Sequence, residues 1–176
     1  MWGFNVYNEN SKNIFEKEVS WVAIEIINIE WKILYIIEWN TKSWKKENQI
    51  SLPMWTIENW EQPMDTLIRE LKEEVLIDVL KEGIDINEIK EVWDFVMYVD
   101  RIKINIKKYQ LILEKNIDYW NPESDEIKDV FWEDKDFLKE KNISNIRPWV
   151  FEILEKNNVD NCQIVFIKDW EYIIKK

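Results

Sequence analysis

The chain has 176 residues, a formal net charge of −11, 12 Trp, only 2 Gly, one Cys and no His. This length suits one domain with a sizeable core; the lone Cys162 excludes a disulfide framework and a Cys-rich zinc site, and the missing His excludes Ser-His-Asp or Cys-His nucleophiles and His-held metals. The negative field disfavours duplex nucleic acid, whose affinity rests on neutralised phosphates, and no apolar run reaches the roughly 18 residues of a membrane span.

In chain order, residues 1–18 are polar and broken and read as an irregular arm or short edge strand. Val19 to Asn28 is β-branched and strand-like, and Ile33 to Ile37 is a second strand. The turn-sized gap between them predicts a hairpin. After a polar loop, Gln49 to Leu52 forms a short strand ending at Pro53. Pro63 stands where the first turn of a helix begins. Met64, Leu67, Ile68, Leu71 and Val75 follow at helical spacing and predict an amphipathic helix from about 63 to 80, with Gly83 marking its exit. Strands are expected at about 88–100 and 103–115, then a loop through Asn121-Pro122-Glu123-Ser124-Asp125, then a strand from Ile127 to Trp132. A helix runs from Pro148 to about Lys156. Gln163 to Ile167 and Tyr172 to Ile174 flank Asp169-Trp170 as a closing hairpin. This order predicts one α+β domain of layered α/β/α type spanning 1–176, with residues 159–176 as a hairpin extension. The N-terminus carries no basic region followed by a long apolar stretch, so a cytoplasmic protein is expected.

The stretch from Leu52 to Ile77 carries the chemistry. Glu70, Glu73 and Glu74 stand at i, i+3 and i+4, which puts three carboxylates on one helix face. Clustered like charges want a counter-charge, and hard cations such as Mg²⁺ take oxygen ligands and bridge carboxylates to phosphates. Arg69 is placed to pair with Glu61 or Glu70. Glu61, seven intervening residues, then Arg69-Glu70-Leu71-Lys72-Glu73-Glu74 resembles the Nudix box at every charged element. The two Gly positions of that box hold Trp55 and Leu76. Asp125-Glu126 followed by Val130-Phe131-Trp132 is similar to a later segment of the same family.

The resemblance implies a Nudix-type α/β/α sandwich, with a mixed sheet between the catalytic helix and a C-terminal helix. It implies a hydrolase that cleaves the pyrophosphate link of a nucleoside diphosphate derivative with Mg²⁺ or Mn²⁺. Carried over by position, Glu70, Glu73 and Glu74 are metal ligands, and the Met54 carbonyl could add another. Glu61 and Arg69 support the loop and helix. Glu126 is the candidate for a further acidic residue, with Asp125 and Glu123 behind it. The general base is open between Glu70 and Glu126.

Trp repeatedly stands where backbone geometry asks for Gly: Trp55 and Trp60 around the box, Trp31 and Trp170 in hairpin turns, and Trp39, Trp44 and Trp120 in polar loops. Turns with φ > 0 suit Gly and not Trp. Trp and Gly together make up about 8% of the chain, close to the ordinary Gly share of roughly 7%. Ile, Lys, Asn and Glu abound, as AT-rich coding gives. Such coding favours UGA over UGG, and some bacteria read UGA as Gly. The expectation is that many of these Trp are Gly in the cell. Trp132 is expected to be a true Trp, and Leu76 is not explained by recoding. The alternative is a Trp-rich protein with aromatic surface patches.

A nucleoside triphosphate or dinucleoside polyphosphate is the expected substrate. The Pro of ADP-ribose-type members is missing near Glu91 and Val92. Tyr98, Tyr109 and Tyr119 are candidates to stack a base, and Lys103, Lys107 and Lys108 to meet phosphates; the plainer reading is core aromatics and a solvated strand face. The expected partner is a small-molecule nucleotide, with no duplex nucleic acid and no membrane, in a monomer or homodimer. The alternative function is a catalytically impaired Nudix-fold nucleotide-binding or regulatory domain.

Overall fold

The computed structural model describes residues 17–39, 48–99, 102–115, 117, 127–141, 146–147, 150–155, 164–168 and 171–174. Strand β1 (Lys17–Ile27) is rich in β-branched residues and sits in the middle of the sheet. It runs parallel to β6 (Ile102–Ile112) in unbroken register from Lys17↔Ile102 to Ile27↔Ile112. On its other side it pairs antiparallel with β2 (Ile33–Glu38) and β4 (Met54–Thr56). β3 (Ile50–Ser51) and β7 (Ile127–Glu133) both pair with β2. β5 (Lys90–Val99) pairs antiparallel with β6. Among the described residues the order is β3-β2-β1-β6-β5, continued by β8 (Ile164–Lys168) and β9 (Glu171–Ile174). β8 runs parallel to β5 and antiparallel to β9, so the closing hairpin extends the sheet.

Helices cover both faces. Helix α1 (Pro63–Glu73) places Leu67 and Leu71 against Val22, Ile24, Ile26, Leu34 and Ile36. Helix α2 (Val150–Glu155) places Val150, Ile153 and Leu154 against Ala23, Tyr35, Ile104 and Ile106. Successive β1 residues alternate between these layers, so Val22 to Ile26 read as one continuous apolar run broken only by Glu25. Glu25 is buried opposite Gln110 and diagonal to Lys108, which is fully buried with its Nζ 2.7 Å from Glu25 Oε2. Lys108 also donates to the Ile153 carbonyl at 2.8 Å, and Lys135 donates to that of Leu154 at 2.6 Å. Two lysines thereby satisfy carbonyls at the C-terminal end of α2. Burial pushes the Lys108 ammonium below its ordinary value, with Glu25 opposing.

Several boundaries differ from expectation. α1 ends at Glu73 rather than near residue 80. Leu76 takes φ +59, and the Ile77 N–H donates back to the Leu71 carbonyl at 2.8 Å. The reversal turns Val75, Ile77 and Val79 into the core, which is why these apolar residues read as further helix. Gly83 (φ +67) closes a separate turn after Asp78. β4 was not foreseen beyond Pro53, nor was the 3₁₀ turn Lys135–Glu140. α2 is described over Val150–Glu155, and its expected start at Pro148 lies outside the described residues.

The β1–β2 hairpin turns through Ile29 to Trp31. Asn28 Oδ1 accepts from the Glu30 and Lys32 N–H groups, and the Trp31 N–H donates to the Asn28 carbonyl at 2.9 Å. Trp31 closes this loop at φ +62 and is 72% exposed. A three-residue hairpin loop wants Gly at this left-handed position. Leu76, 46% exposed, holds the corresponding position at a helix exit, where Gly is usual. A left-handed L-residue costs about 1 kcal/mol or more. Trp31→Gly and Leu76→Gly are therefore each expected to raise stability in urea unfolding by about 1 kcal/mol. A loss in either variant would show that side-chain packing outweighs the backbone cost there.

Candidate functional site

Arg69 organises the acidic face of α1. Its Nε donates to Glu61 Oε1 at 2.8 Å and its Nη2 to Glu61 Oε2 at 2.9 Å, a two-pronged pair. Its Nη1 reaches Glu70 Oε1 at 2.7 Å and Glu73 Oε2 at 3.2 Å. Thr66, one turn into the helix, donates to Glu61 Oε2 at 2.7 Å. The Glu61 N–H closes a turn onto the Glu58 carbonyl at 3.0 Å. The loop before the helix is thus tied to the helix at Glu61. The Arg69 guanidinium, and next the Thr66 hydroxyl, hold the Glu61 carboxyl down to about 2. Glu61 in turn raises Arg69 above its ordinary value.

Glu74 lies one residue past α1. Its N–H donates to the Glu70 carbonyl at 2.8 Å. Its Oε2 accepts from Trp55 Nε1 at 2.5 Å. Trp55 is 6% exposed, sits in β4 opposite Val22, and packs in the α1 layer of the core. Met54 precedes it, opposite Ala23. Strand β4 and the end of α1 therefore meet, and the Trp55 side chain reaches Glu74. Glu126, with Asp125 and Glu123, lies outside the described residues; Ile127, the next residue, is buried in the layer that holds Leu71 and Val75.

Oxygen donors within one turn of helix suit a hard dication in kind. Their placement does not gather them: among the described residues, no three His, Cys, Asp or Glu side chains are grouped to hold a metal ion. Glu70 and Glu73 lean on Arg69, and Glu74 leans on the Trp55 indole. The mismatch at Glu74 comes from the residue in the first Gly position of the box.

The other sequence candidates separate clearly. Trp60 is 79% exposed in the turn before α1, and it is not among the left-handed residues, so that turn does not demand Gly. Trp39 likewise keeps a negative φ, with Lys128 Nζ 5.0 Å from its ring centre. Trp132 pairs with Leu34 in β7 and packs against the α1 layer. Tyr109 is a core residue, with its hydroxyl 3.5 Å from Glu91 Oε2. Lys108 is shut away from any phosphate, because the parallel pairing of β1 and β6 sets it on Glu25. Lys103 pairs with Glu18, and Lys107 with Glu91 and Asp94. The Tyr98 side chain and Tyr119, Trp44, Trp120 and Trp170 lie outside the described residues. Thr66 was missed, although a hydroxyl in the first turns of a helix behind an acidic residue is a readable signal. The partner of Trp55 had no local signal at all.

No protein-family model matches the sequence, and no curated protein matches it. Solved structures do match the fold. A MutT protein from Methanosarcina mazei Go1 superposes with a TM-score of 0.61 at 14% identity, over 80% of this chain and 94% of that one. The Nudix domain of Shewanella oneidensis NrtR, solved with ADP ribose, gives 0.61 at 13% identity, over 85% and 90%. A Nudix hydrolase from Nitrosomonas europaea gives 0.59 at 15% identity, over 78% and 86%. The chain has the Nudix fold, a mixed sheet between helices.

Proposed function

We propose that this chain is a Nudix-type pyrophosphohydrolase acting on a nucleoside diphosphate derivative, with a nucleoside triphosphate or dinucleoside polyphosphate preferred over a sugar nucleotide. The observation that carries this reading is the Arg69 network, which joins Glu61, Glu70 and Glu73 on the Nudix fold. Once Glu74 is released from the Trp55 indole, Glu70, Glu73 and Glu74 would turn to hold Mg²⁺ or Mn²⁺, with the Met54 carbonyl as a further ligand and Glu126 as a further acidic residue. Bound there, the metal would neutralise phosphate charge and supply an activated water. The chain's own part is positional: Arg69 keeps two carboxylates on one side of α1 and locks the preceding loop through Glu61. A carboxylate outside the metal's shell can take the proton of the attacking water. We place this activity in one domain spanning 1–176, in the cytoplasm, as a monomer or homodimer. Among the described residues no helix is long and apolar enough to cross a membrane.

The second reading is a nucleotide-binding domain that does not cleave, favoured by the hydrogen bond that draws Glu74 onto Trp55. A panel of nucleoside triphosphates, dinucleoside polyphosphates, ADP-ribose and sugar nucleotides, assayed with Mg²⁺, decides between the two. It should be run on the chain as written and on a form with Gly at 31, 55 and 60. Cleavage at a pyrophosphate link by the Gly form is the expected result. Nucleotide binding without turnover by either form would leave the binding domain.

A further inference from the structure

A cavity of about 280 Å³ opens on the α1 face of the sheet, away from the acidic end of the helix. Ser20 of β1, Asn105 and Lys107 of β6, and Asp94 and Val96 of β5 line it, with Ile57 and Pro63 at the loop and the first residue of α1. The loop is pinned there, since the Ile57 N–H donates to the Ser20 carbonyl at 2.8 Å. The volume lies near the lower end of the range for small-molecule sites. Its walls are mainly apolar, from Ile57, Pro63 and Val96, and one side carries a donor next to an acceptor. Lys107 Nζ lies 3.5 Å from Asp94 Oδ2 and 2.9 Å from Glu91 Oε1.

Apolar walls with a donor–acceptor pair on one edge suit a flat heterocycle that carries N–H and acceptor groups side by side. An unstacked base is held in that way, between apolar surfaces and by hydrogen bonds to its Watson–Crick edge. The position agrees with this. Ser20 stands two residues from Val22, the partner of Trp55, or about 7 Å along the strand. Pro63 stands seven residues before Glu70, or roughly 10 Å along the helix.

We infer that this cavity is the base-recognition pocket of the nucleotide, with Lys107 and Asp94 reading the base edge and Ile57, Pro63 and Val96 enclosing it. The inference rests on the proposed function for its ligand class and deepens it by naming residues that set specificity. It is tested by binding, without metal, of the four nucleoside monophosphates and of ribose 5-phosphate to the full chain, followed by calorimetry or NMR. At least one monophosphate should bind about tenfold or more tighter than ribose 5-phosphate. Asp94→Asn, at an exposed position, keeps an acceptor but removes its charge, and should weaken that binding by about tenfold, the difference between a charge-assisted and a neutral hydrogen bond. Ser20→Phe, also exposed, should fill the cavity and abolish the advantage of the base. In turnover assays the Asp94→Asn effect should fall on KM and on the ratio between bases, not on kcat. Equal binding of ribose 5-phosphate and all monophosphates, or undiminished binding by Ser20→Phe, overturns the inference. Base-dependent binding without hydrolysis of any nucleotide supports the pocket and overturns the hydrolase reading. Hydrolysis with unchanged base preference in both variants does the reverse.

Discussion

Glu73→Gln is expected to reduce turnover of the best nucleotide by about 100-fold or more while leaving the fold unchanged. Glu73 is 59% exposed and touches Arg69 at 3.2 Å, so its removal breaks one surface contact. Such a contact is worth no more than about 1 kcal/mol. The charge it removes is, by the proposal, one of three that gather the metal, and a neutral amide is a poorer ligand for a hard cation. Activity and stability should therefore part: turnover collapses while the urea midpoint holds. Glu74→Gln should act alike once Trp55 has been replaced, since only then is its carboxylate released from the indole. Unchanged turnover in Glu73→Gln, at saturating Mg²⁺, would refute the metal assignment.

Trp55→Gly is expected to tighten Mg²⁺ binding by tenfold or more, measured by titration of the metal against the folded protein, and to raise turnover with it. The indole is buried and its N–H holds Glu74 Oε2 at 2.5 Å, so the metal must compete with a charge-assisted hydrogen bond. Stability gives a second readout. A tryptophan that belongs to this core should cost about 3–5 kcal/mol when cut back. A position that holds Gly in the cell should cost much less, because its surroundings suit Gly. Trp31 supports the second case from an independent direction, through its exposed left-handed turn. The coding DNA gives a direct check: UGA is expected at 31 and 55, and UGG at 55, 60 and 170 would sink the recoding idea. A large stability loss with unchanged metal affinity would show that Trp55 is a genuine core residue and no obstacle.

Much of the Arg69 network was legible along the chain because its geometry is local. Glu61, Arg69, Glu70 and Glu73 lie within 12 positions of one another in sequence, and helical periodicity alone puts the last three within a turn. The start of α1 was equally plain, since proline fits the first helical turn and no later one. Its end was not, because Val75, Ile77 and Val79 are apolar enough to continue a helix pattern. What stops it is the left-handed turn at Leu76, selected by the burial that follows.

The sequence by itself determined the charged frame, the β-branched central strand, the two helices and the layered fold class. It also marked Trp31 as a residue in a glycine's place. The tertiary structure alone decided what each charge meets. Lys108 is a buried strut and not a phosphate ligand, because β1 and β6 pair in parallel across more than 80 residues of chain and set it on Glu25. Trp55 touches Glu74, and the cavity forms between β1, β5, β6 and the start of α1, for the same kind of reason. Periodicity and turn chemistry act between near neighbours in sequence and leave a local mark. Sheet pairing and helix docking join distant segments, and a side chain's partner is set only when those segments meet.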